Sequence, residues 1–196
     1  IVVLVGLPAT PQLTDGGRAH IADRKRLGEA LWGQGLGILY ASIFCLHLLL
    51  MAAFTAIPAV MTEQVGLPPE QHAWLYLATL CGALPGVAML VRRRQALDDS
   101  RPLLALSVLL TVLGLVTALW ASSLLVLGVG LMLFFTGFTA LETILPALVS
   151  IVAPTSLRGT AMGIFSSAQF LGVFSGGALG GNALHVGGPV GLVAVL

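Results

Sequence analysis

Charge is what this sequence has least of. Nine Lys and Arg and eight Asp and Glu amount to 9% of 196 residues, against about 25% in a typical soluble domain. Such scarcity excludes an ordinary water-soluble fold. Cysteine is almost as rare. Cys45 and Cys81 lie inside apolar runs at a spacing that matches no metal motif. They read as small buried packing residues, not as a disulfide framework or a catalytic pair. A His–Glu zinc signature and a glycine-rich phosphate loop are both missing. So is a secretory signal: the chain opens on Ile1 without a basic flank and stops at Leu196 inside an apolar run, so both ends read as cut. No metal, cofactor or nucleic-acid partner is expected, and a lipid bilayer is.

What the chain does have is apolar length. Hydrophobic residues make up 57%, and the mean hydropathy is +1.01. The runs exceed the roughly 18 residues that separate a membrane span from a buried core helix. Five full spans are expected: Gly35–Met61, Ala73–Val91, Pro102–Ala121, Leu124–Val149 and Gly159–Ala183. A sixth begins near Gly188 after a short loop from His185 to Pro189. The alternation of a membrane barrel is absent, so helices are the expected state. Ile1 to Pro8 read as the end of a preceding helix, and Ala9 to about Gly33 as a surface linker, with Thr14-Asp15 as a cap and Trp32 at the boundary. The chain therefore divides into 1–34 and a helical bundle at 35–196.

The basic residues are arranged with one sidedness. Arg18, Arg24, Lys25 and Arg26 precede the first full span; Arg92, Arg93, Arg94 and Arg101 lie between the second and third, and Arg158 between the fourth and fifth. The intervening loops contain no Lys or Arg. The positive-inside rule makes the basic side cytoplasmic.

One charge breaks the pattern. Glu142 is the single acidic or basic side chain inside a stretch long enough to cross a bilayer. A carboxylate at that depth is costly and is read by default as part of a substrate or proton pathway. The bland alternative is a protonated carboxyl hydrogen-bonded to a neighbouring helix or loop backbone. Further along, Gly159, Gly163, Gly172, Gly176 and Gly180 read as a helix-packing face, since small residues let backbones approach closely. Tyr40, Phe44, Met51 and Phe54 follow helical spacing and form either an apolar wall for a substrate or an ordinary lipid or helix contact.

Several segments together resemble a known family. Cys45-Leu-His47-Leu-Leu-Leu-Met51, Ile57-Pro58, Leu141-Glu142, Leu145-Pro146 and Gly159-Thr-Ala-Met-Gly-Ile-Phe-Ser-Ser-Ala-Gln169-Phe-Leu-Gly172 are similar to major facilitator superfamily transporters of the YajR type from bacterial inner membranes. The resemblance implies an all-α membrane protein, the second six-helix half of a twelve-helix fold, whose partner is a missing N-terminal half. It implies secondary transport of a small molecule, with proton-coupled efflux by antiport as the leading expectation. His47 and Glu142 would stand on cavity-lining helices as proton-coupling candidates. Gln169 joins the cavity-lining candidates, although Gln169 and Asn182 also suit the role of interhelical glue. Counting from the expected helix ends puts His47 at ~18 Å and Glu142 at ~10 Å from the cytoplasmic side. That separation, about one and a half turns, leaves them out of direct contact and connected at most through water.

Two other function classes compete with transport. Ser175 and His185 invite a serine–histidine dyad, but ten residues along one helix put them ~15 Å apart, too far for nucleophile activation. The chain is therefore read as a non-enzyme. A structural or permease subunit of a multi-component complex is the remaining alternative, with the short Arg92–Arg101 loop as its docking element.

Overall fold

Backbone polar groups in a water-free medium must bond within their own segment, and only a helix achieves this for a single run of chain. The computed structural model describes Gly28, residues 33–96 and residues 100–195, and strands are absent among them. Five long helices follow one another: α1 (Leu36–Ala59), α2 (Pro69–Ala96), α3 (Arg101–Leu119), α4 (Leu124–Val152) and α5 (Arg158–Val195). Each contains a stretch long and apolar enough to cross a membrane. The expected linker at 1–34, with Trp32 and its four basic residues, lies almost wholly outside the described residues.

Local chemistry explains the ends. Gly35, in the left-handed region at φ 83°, stands directly before α1. Pro58 lies near the end of α1, just before the backbone widens into a π turn at Val60–Gln64. Proline cannot donate to the ladder, and such local widening is one way a membrane helix absorbs the loss. Ser123 caps α4 by accepting from the Val126 amide at 3.4 Å. Inside the helices, hydroxyls turn back on their own backbones, as Ser107 does to Leu103 and Thr111 to Ser107.

Two tight helix pairs build the bundle. α1 runs along α5, α3 runs along α4, and α2 also packs on α4. Half of the most apolar window of α4 is buried, against 17% in α2 and in α5, which makes α4 the axis. Phe134, Leu127, Leu131 and Ile144 on α4 and Ile43, Ile57 and Met61 near α1 are fully enclosed. Ile38, Trp74, Leu125 and Phe174 point outward and are more than two-thirds exposed. In lipid such packing is driven by van der Waals fit, so close approach matters more than hydrophobicity.

Glycine permits that approach. A Cβ at Gly172 would collide with the Phe44 carbonyl oxygen, and one at Gly176 with that of Leu48. At Gly180 it would stand 3.1 Å from Ala52 Cα. Gly159 and Gly163 correct the expected stripe, for both face open space. The reason is rotational phase. At ~100° per residue, nine residues separate Gly163 from Gly172 by about half a turn, whereas Gly172, Gly176 and Gly180 stay within one face. The α3–α4 pair carries a second glycine seam that the sequence reading missed. There a Cβ at Gly130 would stand 2.6 Å from the Ala118 amide nitrogen.

Three further expectations change. Cys45 and Cys81 are exposed, not buried; the medium around a span is apolar, so a thiol on the outer surface incurs no penalty. The expected break at 185–189 is absent, and α5 continues to Val195 as one helix. Gly187, Gly188 and Pro189 lower helix propensity, but an interrupted ladder without water costs several kcal/mol per unpaired group. Helix α4 extends to Val152, three residues beyond the expected end, with a consequence for the site.

Candidate functional site

Three helices bring one polar side chain each to the same depth. His47 lies eleven residues inside Leu36, Glu142 ten residues short of Val152, and Gln169 eleven residues past Arg158. At ~1.5 Å per residue, each is about 15–17 Å from its helix end, near the middle of a ~30 Å hydrocarbon core. The expectation that His47 and Glu142 stand out of contact is corrected here. His47 Nε2 is 3.4 Å from Glu142 Oε1. The earlier count ended α4 at Val149, one turn short, and so placed Glu142 too close to the surface.

Hydrogen bonding orders the three groups. His47 Nδ1 faces the Ile43 carbonyl oxygen at 3.2 Å, which can only accept. A proton on Nδ1 satisfies that oxygen and, in the neutral ring, leaves Nε2 as an acceptor. The Gln169 amide nitrogen supplies the matching donor at 2.8 Å and gives its second hydrogen to Glu142 Oε1 at 3.2 Å. Phe138 closes the ring from the side in an edge-on contact at 5.5 Å. His47 is buried at 4% exposure, whereas the Glu142 side chain is 42% exposed. The carboxylate is thus the accessible member of the trio.

A cavity of about 180 Å³ leads away from it. Glu142, Gln169 and Ile43 stand at one end, and Pro146, Met162, Phe165 and Ser166 continue toward the Arg158 end of the bundle. A larger cavity of about 470 Å³ lies between α1, α3 and α4, lined by residues such as Leu39, Cys45, Val108 and Leu141. Its two hydroxyls, Ser42 and Thr111, are bonded to their own helices. It has volume but little chemistry.

Gln169 lines the small cavity, whereas Tyr40, Phe44, Met51 and Phe54 line neither cavity. Tyr40 is in the core, and the Phe44 backbone abuts Gly172. The Met51 carbonyl accepts from Thr55, and Phe54 stacks on Tyr76 at 5.2 Å. Phe54 also begins a chain of ring contacts through Phe135 and Phe134 to Phe138, and so to His47. Sequence reasoning missed Phe134, Phe135 and Phe138 because an aromatic run on an apolar helix carries no mark of its neighbours. His185 and its imagined partnership with Ser175 lie outside the described side chains.

With this geometry in view, comparison with known proteins is decisive at the level of family. The profile described as Major Facilitator Superfamily matches residues 2–195. The chain belongs to the major facilitator superfamily. Within it, the chain is 32% identical over 189 residues to the inner membrane transport protein YajR of Escherichia coli (strain K12), covering 92% of this chain and 41% of that protein. It is 31% identical over 140 residues to an uncharacterized transporter of Buchnera aphidicola subsp. Acyrthosiphon pisum (strain APS), covering 70% and 35%. The chain thus spans less than half the length of these two superfamily relatives.

Proposed function

We propose that this chain forms the larger part of one half of a secondary transporter in a bacterial inner membrane, where it couples the movement of a small molecule to that of protons. Proton-coupled export by antiport is the specific form proposed. The observation that carries it is the contact of Glu142 with His47 and Gln169 at mid-depth, beside a cavity opening toward one end of the bundle. A carboxyl group in a partly dry cavity can take a proton on one face and release it on the other as access alternates.

The family and the name of the E. coli relative support membrane transport and an inner-membrane location. The N-terminal half, reached through residues 1–34, would supply the opposing wall of the site, and transport would proceed by rocking of the two halves. Arg92, Arg93, Arg101 and Arg158 mark the cytoplasmic ends of α2, α3 and α5 by the positive-inside rule.

The test is Glu142→Gln in the intact protein reconstituted in liposomes. The amide keeps the volume and the capacity to bond Gln169 but cannot titrate. Loss of pH-dependent transport is expected; an unchanged rate and pH profile would refute the reading.

A further inference from the structure

The hydrogen-bond directions in the site distinguish between the two groups that could take a proton. The Ile43 carbonyl oxygen can accept a proton held on His47 Nδ1, which in a neutral ring leaves Nε2 as an acceptor. Gln169 then spends both amide hydrogens, one on that nitrogen and one on Glu142 Oε1. Both contacts with the carboxylate fall on Oε1, and Oε2 has no protein partner among the described residues.

Consider where an added proton can go. On Glu142 Oε2 it forms a new O–H bond, while Oε1 remains an acceptor for Gln169. Every existing bond survives, and the net charge of the trio changes from −1 to 0. On His47 Nε2 it turns an acceptor into a donor, leaving two N–H groups face to face across 2.8 Å. The amide must then rotate half a turn, which sets its oxygen against ionised Oε1. One hydrogen bond is lost in either orientation, and an unmade bond at a buried group is costly. Against this stands the ion pair that a protonated Nε2 would gain with Oε1 at 3.4 Å, and the protonation state of the ring separates the two outcomes. The remaining titratable or charged side chains described on α1, α4 and α5 are Tyr40 and Cys45 on α1 and Arg158 at the start of α5. Arg158 is about 16 Å along α5 from Gln169, too far for a direct bond to the trio.

We infer that Gln169 is a positioning residue: its amide holds His47 as a hydrogen-bond acceptor and reserves Glu142 Oε2 as the atom that takes the transported proton. This assignment rests on proton coupling at Glu142. It divides the labour within the trio, making the histidine a fixed support and the carboxylate the carrier.

Nitrogen-15 NMR of the intact, histidine-labelled protein in lipid reads the tautomer directly, with His47 isolated as the difference from His47→Asn. At alkaline pH, His47 should carry its proton on Nδ1 with Nε2 unprotonated. In Gln169→Leu, and in Gln169→Met as a second volume-preserving variant, the ring should shift to the Nε2–H form that faces Glu142. An Nε2–H ring in the unsubstituted protein, or an unchanged tautomer in both variants, overturns the assignment. Transport supplies a second readout. His47→Gln can accept from Gln169 but cannot titrate, so it should lower the rate several-fold and keep the pH dependence. If Glu142→Gln leaves pH-dependent transport intact, proton coupling itself fails. If both substitutions abolish the pH dependence, only the role given to Gln169 fails.

Discussion

Alanine at Gly172 and alanine at Gly163 should have opposite effects, although the two glycines lie on one helix nine residues apart. At Gly172 the new methyl group meets the Phe44 carbonyl oxygen, which belongs to backbone and cannot rotate away. Overpacking of this kind costs about 1–3 kcal/mol, offset by about 0.5–1 kcal/mol of improved helix propensity. The net expectation is a loss on the order of 1–2 kcal/mol. At Gly163, where a Cβ meets open space, only the propensity gain of about 0.5–1 kcal/mol remains. Function should follow packing. To restore normal contact, α1 and α5 must separate by on the order of 1 Å. Adding that to the 2.8 Å contact between Gln169 and His47, one turn from Gly172, takes it out of hydrogen-bond range. Unfolding of the intact protein by SDS titration in mixed micelles measures the first effect, and liposome transport the second. Gly172→Ala should be less stable and impaired in transport, and Gly163→Ala at least as stable and active. Equal shifts at the two sites would refute the packing argument.

Two other expectations follow from the same geometry. Phe138, 7% exposed and edge-on to His47, should cost about 3–5 kcal/mol when replaced by alanine, measured in the same unfolding titration. A loss below about 1 kcal/mol would mean that the ring is not part of the support. Single cysteines at Ser122 and Thr155, introduced after Cys45 and Cys81 are replaced by serine, should label from opposite sides of the membrane with an impermeant maleimide. Ser122 should react from outside the cell and Thr155 only after lysis; the reverse pattern would overturn the proposed orientation.

The spans were legible because a bilayer demands long uninterrupted apolar runs, and the loops between them hold nearly all the charge. Glu142 stood out for the same reason. The boundaries were less legible. Nothing in Ser150-Ile151-Val152 announces whether the helix stops before or after that turn, yet those residues decide whether Glu142 is level with His47. The α5 glycines show a related limit. Their approximate spacing suggested one stripe, while the accumulated rotation splits them into a contact face and an open face. Gly130 on α4 went unnoticed because it belongs to no run, and its meaning comes from Ala118 on another helix.

Composition and the placement of charge by themselves determined a polytopic helical chain, its five main spans and the identity of its one membrane-depth carboxylate. These are properties of segments taken singly, set by what each must do to dissolve in lipid. Only tertiary structure decided that Glu142, His47 and Gln169 meet, and which of their atoms face one another. Those outcomes depend on the relative depth and rotation of three helices, where a shift of one turn or of about 100° separates a bonded trio from three unrelated side chains.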